Sequence, residues 1–273
     1  SIIDFCSAFV LQAFGSTQSR FDLHPDGIVN FRDLLIFSGA YARRDTTVAE
    51  TIGERVETQE ASAQIEVFEL STLGARPNDL VLDSQGRVWF TEIGANRIGR
   101  FDPFSDEISS VTIPTPGSRP KSLGFDKQGL LWFVESAGDC VGRLDPLTET
   151  IEEFSLSEKD ADLFGLQVDK DGQIWFSERA HGRLGKVDPE NGQITTILLP
   201  NGGLKVGQIG LDSDGRVWFT DTGLGRLGMF DPANGRTRFF QFPDSIGRPH
   251  ALKVDLNDRI WIGGRESDRL TNF

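Results

Sequence analysis

Residues 77–82, PNDLVL, alternate polar and apolar positions, and a D-x-x-G turn separates them from RVWFTE at 87–92. A Gly/Asn loop then leads to RIGRFD at 97–102, and an Asp-Pro turn leads to EISSVTIP at 107–114. Short alternating runs bounded by Gly, Asn, Asp and Pro are the pattern of half-buried strands. None of these runs carries the period of a helix. The stretch therefore predicts four short strands joined by tight turns.

The same pattern returns at a constant step. Trp89, Trp132, Trp175, Trp218 and Trp261 are each 43 residues apart, and Gly99, Gly142, Gly185 and Gly228 keep that step. So do the pairs Asp102-Pro103, Asp145-Pro146, Asp188-Pro189 and Asp231-Pro232. The windows DSQGRVWFTE, DKQGLLWFVE, DKDGQIWFSE and DSDGRVWFTD are close copies, and DLNDRIWIGG is a degenerate fifth. Four antiparallel strands per repeat of about 40 residues predict the blades of a β-propeller. The expected fold is mainly β, with five units over 64–273 and the Trp/Phe pairs wedged between blades. IEVFEL at 65–70 stands one period before ISSVTI at 108–113 and reads as an outer strand able to close the ring. The fifth unit lacks such a strand of its own, which reads as part of a larger propeller.

Residues 1–42 have another character. FDLHPDGIVNFRDLL carries Asp22, His24, Asp26, the Ile28 carbonyl, Asn30 and Asp33 at loop positions 1, 3, 5, 7, 9 and 12, with Gly27 at 6. That is the calcium-loop spacing of an EF-hand, with hard oxygens at those places and glycine at the sharp turn. It resembles the dockerin variant, which ends on Asp. His24 and the short Asp33 weaken the donor set, so a decayed structural turn is the alternative. SIIDFCSAFV aligns with the same motif at an offset of 26 residues, as a first loop cut short. Residues 43–63 read as a polar linker. A dockerin-like module implies a cohesin-like protein partner. Calcium sites of modest affinity suit an extracellular or periplasmic setting.

Composition narrows the partners. The 273 residues carry a formal charge of -13, which disfavours nucleic acid and suits cations. No apolar run is long enough to span a membrane. Cys6 and Cys140 are too few for a disulfide framework. The chain opens on Ser1 without a leader pattern, and is read as processed or as a piece of a longer chain.

Propeller geometry points to one set of side chains. The second strand of a blade ends beside the start of the first. Glu92, Glu135, Glu178 and Asp221 stand at those ends, each 14 residues after Asn78, Lys121, Phe164 and Gly207; His250 and Gly264 keep the same spacing. These positions are expected around one mouth of the ring, where a small-molecule or peptide ligand would bind. Gathered carboxylates either hold a cation or raise one another's pKa, and His250 is a candidate general base. The alternative is that each acid is capped by a nearby arginine such as Arg97, Arg183 or Arg226.

The phrase RPNDLVLDSQGRVWFTEIGANRIGRFDP and its copies resemble the repeats of the streptogramin B lyase (virginiamycin B lyase) family. The resemblance implies a propeller that opens a cyclic depsipeptide at its ester by metal-assisted elimination. It implies a catalytic histidine after a proline at the start of an inner strand, and an acid at the end of the next strand serving magnesium. RPHAL places His250 on such a Pro-His, and Gly264 takes the place of the acid. RPNDLVLDSQGRVWFTE also resembles a gluconolactonase-type segment, in which Asn78 would ligate a divalent metal. A lyase, a non-catalytic binding or scaffold propeller and a lactonase-type hydrolase are thus the functions in view.

Overall fold

The computed structural model describes residues 67–200, 204–242, 248–264 and 270–273. The calcium-loop residues Asp22 to Asp33 and the linker 43–63 lie outside the described residues. Every regular element among the described residues is a strand. The first unit is β1 (Pro77–Leu82), β2 (Val88–Glu92), β3 (Arg97–Asp102) and β4 (Glu107–Thr112). The second is β5 (Pro120–Phe125), β6 (Leu131–Glu135), β7 (Cys140–Asp145) and β8 (Thr150–Ser155). The third is β9 (Leu163–Val168), β10 (Ile174–Glu178), β11 (Arg183–Val187) and β12 (Ile194–Leu198). The fourth is β13 (Val206–Leu211), β14 (Val217–Asp221), β15 (Arg226–Asp231) and β16 (Arg236–Gln241). The fifth holds β17 (Pro249–Val254), β18 (Ile260–Gly264) and β19 (Leu270–Asn272).

Each unit is one antiparallel meander, and no strand crosses between sheets. The inner strands β1, β5, β9, β13 and β17 stand side by side in chain order. This is the blade arrangement of a propeller. Residues 67–70, expected as an outer strand, form none; Phe68 instead rests on Phe101 of the first blade at 4.4 Å between ring centres.

The hydrophobic clusters lie between consecutive blades, because a lone four-stranded sheet cannot cover its own apolar face. Trp132 and Val141 of the second blade pack with Leu166, Ile174 and Phe176 of the third. Trp175 packs with Val206, Ile209 and Phe219 of the fourth. The same holds for Trp89 with Leu123 and Phe133, and for Trp218 with Leu252 and Ile262.

Two local devices explain the repeated letters. In each D-x-x-G turn the aspartate joins turn to wedge. Asp126 Oδ1 accepts the backbone N–H groups of Gln128 and Leu130, while Oδ2 accepts the Trp132 indole N–H at 2.7 Å. Asp83–Trp89, Asp169–Trp175, Asp212–Trp218 and Asp255–Trp261 repeat that indole bond at 2.9, 2.9, 2.8 and 2.9 Å. At Asp255 burial works against ionisation, yet the Trp261 indole, the Arg259 and Asn257 backbone and the Arg259 guanidinium outweigh it and bring the carboxyl down to about 2. The turn glycines Gly86, Gly129, Gly172 and Gly215 sit at φ of 79–85°, where a side chain is strained. In the degenerate fifth turn Asp258 takes that conformation at φ 60° and accepts the Ser213 backbone N–H at 2.8 Å, a link to the fourth blade.

A buried indole N–H left without an acceptor costs about 1–3 kcal/mol, and the two turn N–H groups add to this. Asp126→Ala is therefore expected to destabilise the protein by about 3 kcal/mol. Urea unfolding checks it, and Asp255→Ala, in a more exposed turn, is expected to cost less.

Candidate functional site

The site is built where each inner strand begins. The last residue of the second strand, an acid in four blades, pairs with the first residue of the inner strand, as in Pro77↔Glu92, Pro120↔Glu135, Leu163↔Glu178, Val206↔Asp221 and Pro249↔Gly264. That offset is 15 residues rather than the 14 read from the sequence, because a bulge follows immediately in every inner strand. A bulge inserts one extra residue and re-aims the side chains around it. Asn78, Lys121, Phe164, Gly207 and His250 are the residues it displaces.

A hydroxyl holds the bulge. Thr91 Oγ1 accepts the Asp79 N–H at 3.1 Å and donates to the Lys121 carbonyl of the next blade at 2.9 Å. Ser177 Oγ does the same between the Gly165 N–H at 2.9 Å and the Gly207 carbonyl at 2.7 Å. Thr91 and Ser177 thus tie the first blade to the second and the third to the fourth at the mouth, whereas the buried Thr220 hydroxyl has no partner. Val134 stands at this place in the second blade and has no hydroxyl.

The four acids are buried, and Glu178 and Asp221 are held by their own blades. Glu92 stands opposite Arg97; burial raises its carboxyl, and Arg97 and Thr72 oppose that. Glu178 Oε2 lies 2.9 Å from His181 Nδ1 and 3.8 Å from Arg183 Nε. His181, in the loop between β10 and β11, is thus partly buried against an acid. Asp221 receives Arg226 Nε at 3.0 Å and the backbone N–H groups of Lys205 and Gly223, both at 3.1 Å. The arginine-capped alternative is what the structure shows in the third and fourth blades.

The second blade breaks the rule. The residue opposite Glu135 is Cys140, not arginine. Neither Glu135 oxygen has a hydrogen-bond partner, and the neighbouring Ser118 hydroxyl is also unpartnered. Burial first, and then the Glu153 carboxylate, push Glu135 up to about 8. Among the described residues no group of three or more His, Cys, Asp or Glu side chains is placed to hold a metal ion.

A different cluster occupies the bulge positions. Lys121 Nζ is 3.0 Å from Asp162 Oδ1, and the Arg179 guanidinium reaches Asp162 Oδ2 at 2.5 Å. Both cations sit over the Phe164 ring, at 4.6 and 4.7 Å from its centre. The His250 ring meets Phe164 edge-on at 6.2 Å, bringing β17 to β9 at the mouth. Burial lowers the Lys121 ammonium, and Asp162 counters this. Asn78 Nδ2 donates to the Lys121 carbonyl at 3.5 Å, the limit of a hydrogen bond. A cleft of about 430 Å³ opens elsewhere, beside Glu178 and between Leu156 and Thr196. Its Arg183 is already paired with Glu158, so the unspent charge lies at the mouth.

Fold and site together define a β-propeller with a histidine at its mouth. The virginiamycin B lyase family matches residues 39–273, and the chain belongs to that family. A streptogramin B lyase structure is similar at 26% identity and a TM-score of 0.70, over 78% of this chain and 73% of that one. The virginiamycin B lyase from Staphylococcus aureus is similar at 25% identity and a TM-score of 0.68, over 76% of this chain and 72% of that one. A catalytically inactive histidine-to-alanine variant of the S. aureus lyase with quinupristin matches equally well. A putative gluconolactonase, at 18% identity and a TM-score of 0.55, shares the fold alone. No curated protein sequence matches the chain significantly.

Proposed function

We propose that the protein is a lyase of the streptogramin B type that opens a cyclic depsipeptide, or a related ester, by elimination at the propeller mouth. The observation that supports this most is His250. It follows Pro249 at the start of an inner strand, is exposed, and faces Phe164 at the mouth. A neutral imidazole there is the base. It takes a proton from the carbon next to the one bearing the ester oxygen. The C–H electrons form the C=C bond, the C–O bond breaks, and the oxygen leaves as a carboxylate without consuming water. Lys121 and Arg179 lie over the same Phe164 ring that His250 meets, and from there they stabilise the departing negative charge.

The family implies magnesium in this chemistry, and magnesium takes near-octahedral oxygen donors. The donors here do not fit it. Gly264 brings no side-chain oxygen opposite the start of β17, and both Asp162 oxygens are bonded to cations.

Opening of quinupristin-type depsipeptide, followed by the new conjugated double bond with and without magnesium, tests the proposal. His250→Ala is expected to lower the rate at least 100-fold, the scale of a lost general base. Turnover unchanged by His250→Ala would sink it. A non-catalytic binding propeller is the second reading, favoured by the arginine caps on Glu178 and Asp221; no turnover with retained ligand binding would support it. The loop of Asp22, His24, Asp26, Ile28, Asn30 and Asp33 is proposed as a calcium site. Titration of the full chain with calcium, against Asp22→Ala, checks that part.

A further inference from the structure

Arg76, Arg119, Asp162, Lys205 and Arg248 precede the five inner strands at the constant step of 43 residues. Four are cations and all four are exposed, on a chain whose formal charge is -13. They stand beside the residues that pair with the strand-terminal acids, so they ring the mouth. Three of the five hold a backbone that side chains rarely adopt: Arg76 at φ 52°, Arg119 at φ 56° and Asp162 at φ 50°. Glycine would take that conformation without strain. Long cations kept in strained positions next to a site point to a role in that site.

Inside this ring, Lys121 and Arg179 share the single carboxylate of Asp162. Two cations against one anion leave one positive charge uncompensated, next to the apolar Phe164 ring and away from bulk water at Lys121, whose side chain is 11% exposed. Of the buried acids below, Glu178 and Asp221 are engaged by their own arginines. Low-dielectric walls lined by one sign of charge focus the field into the opening.

We propose that the mouth is a binding site for a monoanionic organic carboxylate, received by Lys121 and Arg179, steered by the outer cations and packed on Phe164. Asp162 occupies the cation pair in the free protein and competes with the ligand. This binding requires no turnover and does not rest on the lyase reading.

Benzoate and its neutral isostere benzamide are the probes, titrated into the full chain by calorimetry or ligand-observed NMR. Benzoate is expected to bind at least 10-fold more tightly than benzamide and to weaken as sodium chloride rises. Lys121→Gln and Arg179→Gln should each lose about 10-fold, the scale of one charge-assisted contact. Asp162→Asn should bind benzoate several-fold more tightly, an effect a merely structural role would not produce. Should Lys121→Gln fail to fold, Arg76→Gln and Arg248→Gln, both at exposed positions, are expected to weaken binding several-fold at low salt. Equal binding of benzamide, weaker binding in Asp162→Asn, or inorganic phosphate binding as well as benzoate would each overturn the assignment. Depsipeptide opening without benzoate binding would remove this inference and leave the lyase proposal standing.

Discussion

Glu135→Gln is expected to stabilise the protein at pH 8.5 by several kcal/mol and at pH 5 by no more than about 1 kcal/mol. The carboxyl is fully buried, with both oxygens unpartnered, and sits at about 8 in the fold. An unfolded chain returns it to its ordinary value near 4.3. A raised acid favours the protonated fold, so its penalty is absent below about pH 4 and grows as pH climbs towards 8. Converted at 1.36 kcal/mol per pKa unit, the full penalty is on the order of 4–5 kcal/mol as an upper bound, and about 2–4 kcal/mol is expected to be recovered. Denaturant midpoints at pH 5, 7 and 8.5 read the effect directly. A gain of the same size at every pH would show that ionisation is not its cause. Glu153→Gln removes the second contributor and should give a smaller gain in the same window.

The second large effect is steric. In the first four blades the phenylalanine of the second strand rests its ring against the glycine of the third. A Cβ on Gly185 would come within 2.0 Å of the Phe176 ring, and one on Gly142 within 2.1 Å of Phe133. Phe176 is fully buried among Trp132, Leu166 and Ile174, so it has nowhere to move. Gly185→Ala is thus expected to cost about 3 kcal/mol by overpacking, against the 0.5–1 kcal/mol that alanine gains over glycine within a strand. Phe176→Leu alone should also destabilise, by about 1–2 kcal/mol. Combined, the two should cost clearly less than their sum, since leucine leaves room for the methyl group. Additive penalties in the urea-unfolding cycle would rule out the ring contact as the cause.

Much of this was legible in the linear pattern. The step between tryptophans, the D-x-x-G turns and the Asp-Pro turns set the blades and their strand order, because turns and alternating strands are specified by neighbours within a few residues. The placement of Glu92, Glu135, Glu178 and Asp221 at strand ends, and of His250 after a proline at an inner strand start, came from the same source. The exception at Cys140 was also visible: Arg97, Arg183 and Arg226 keep the repeat step, and the missing arginine falls at Cys140. So was the cation series Arg76, Arg119, Lys205 and Arg248, although nothing local says that its members face one opening.

Other features depended on contacts between blades. The bulge that shifts the pairing by one residue is held by Thr91 and Ser177 reaching a carbonyl of the next blade. The roles of the repeated aspartate, as indole acceptor, and of the repeated glycine, as a seat for an aromatic ring, appear only once side chains are packed. Whether a carboxylate joins a shared cation site or pairs with its own arginine is a matter of direction and a few ångströms, which residue spacing does not encode. The meeting of Phe164 with His250, and of Lys121 with Asp162 and Arg179, spans sequence separations that no local pattern constrains. Along the chain, short-range rules determined the repeating unit and its turns. The environment of each charge was decided by the ring of blades, because burial and partner distance are set by parts of the chain remote in sequence.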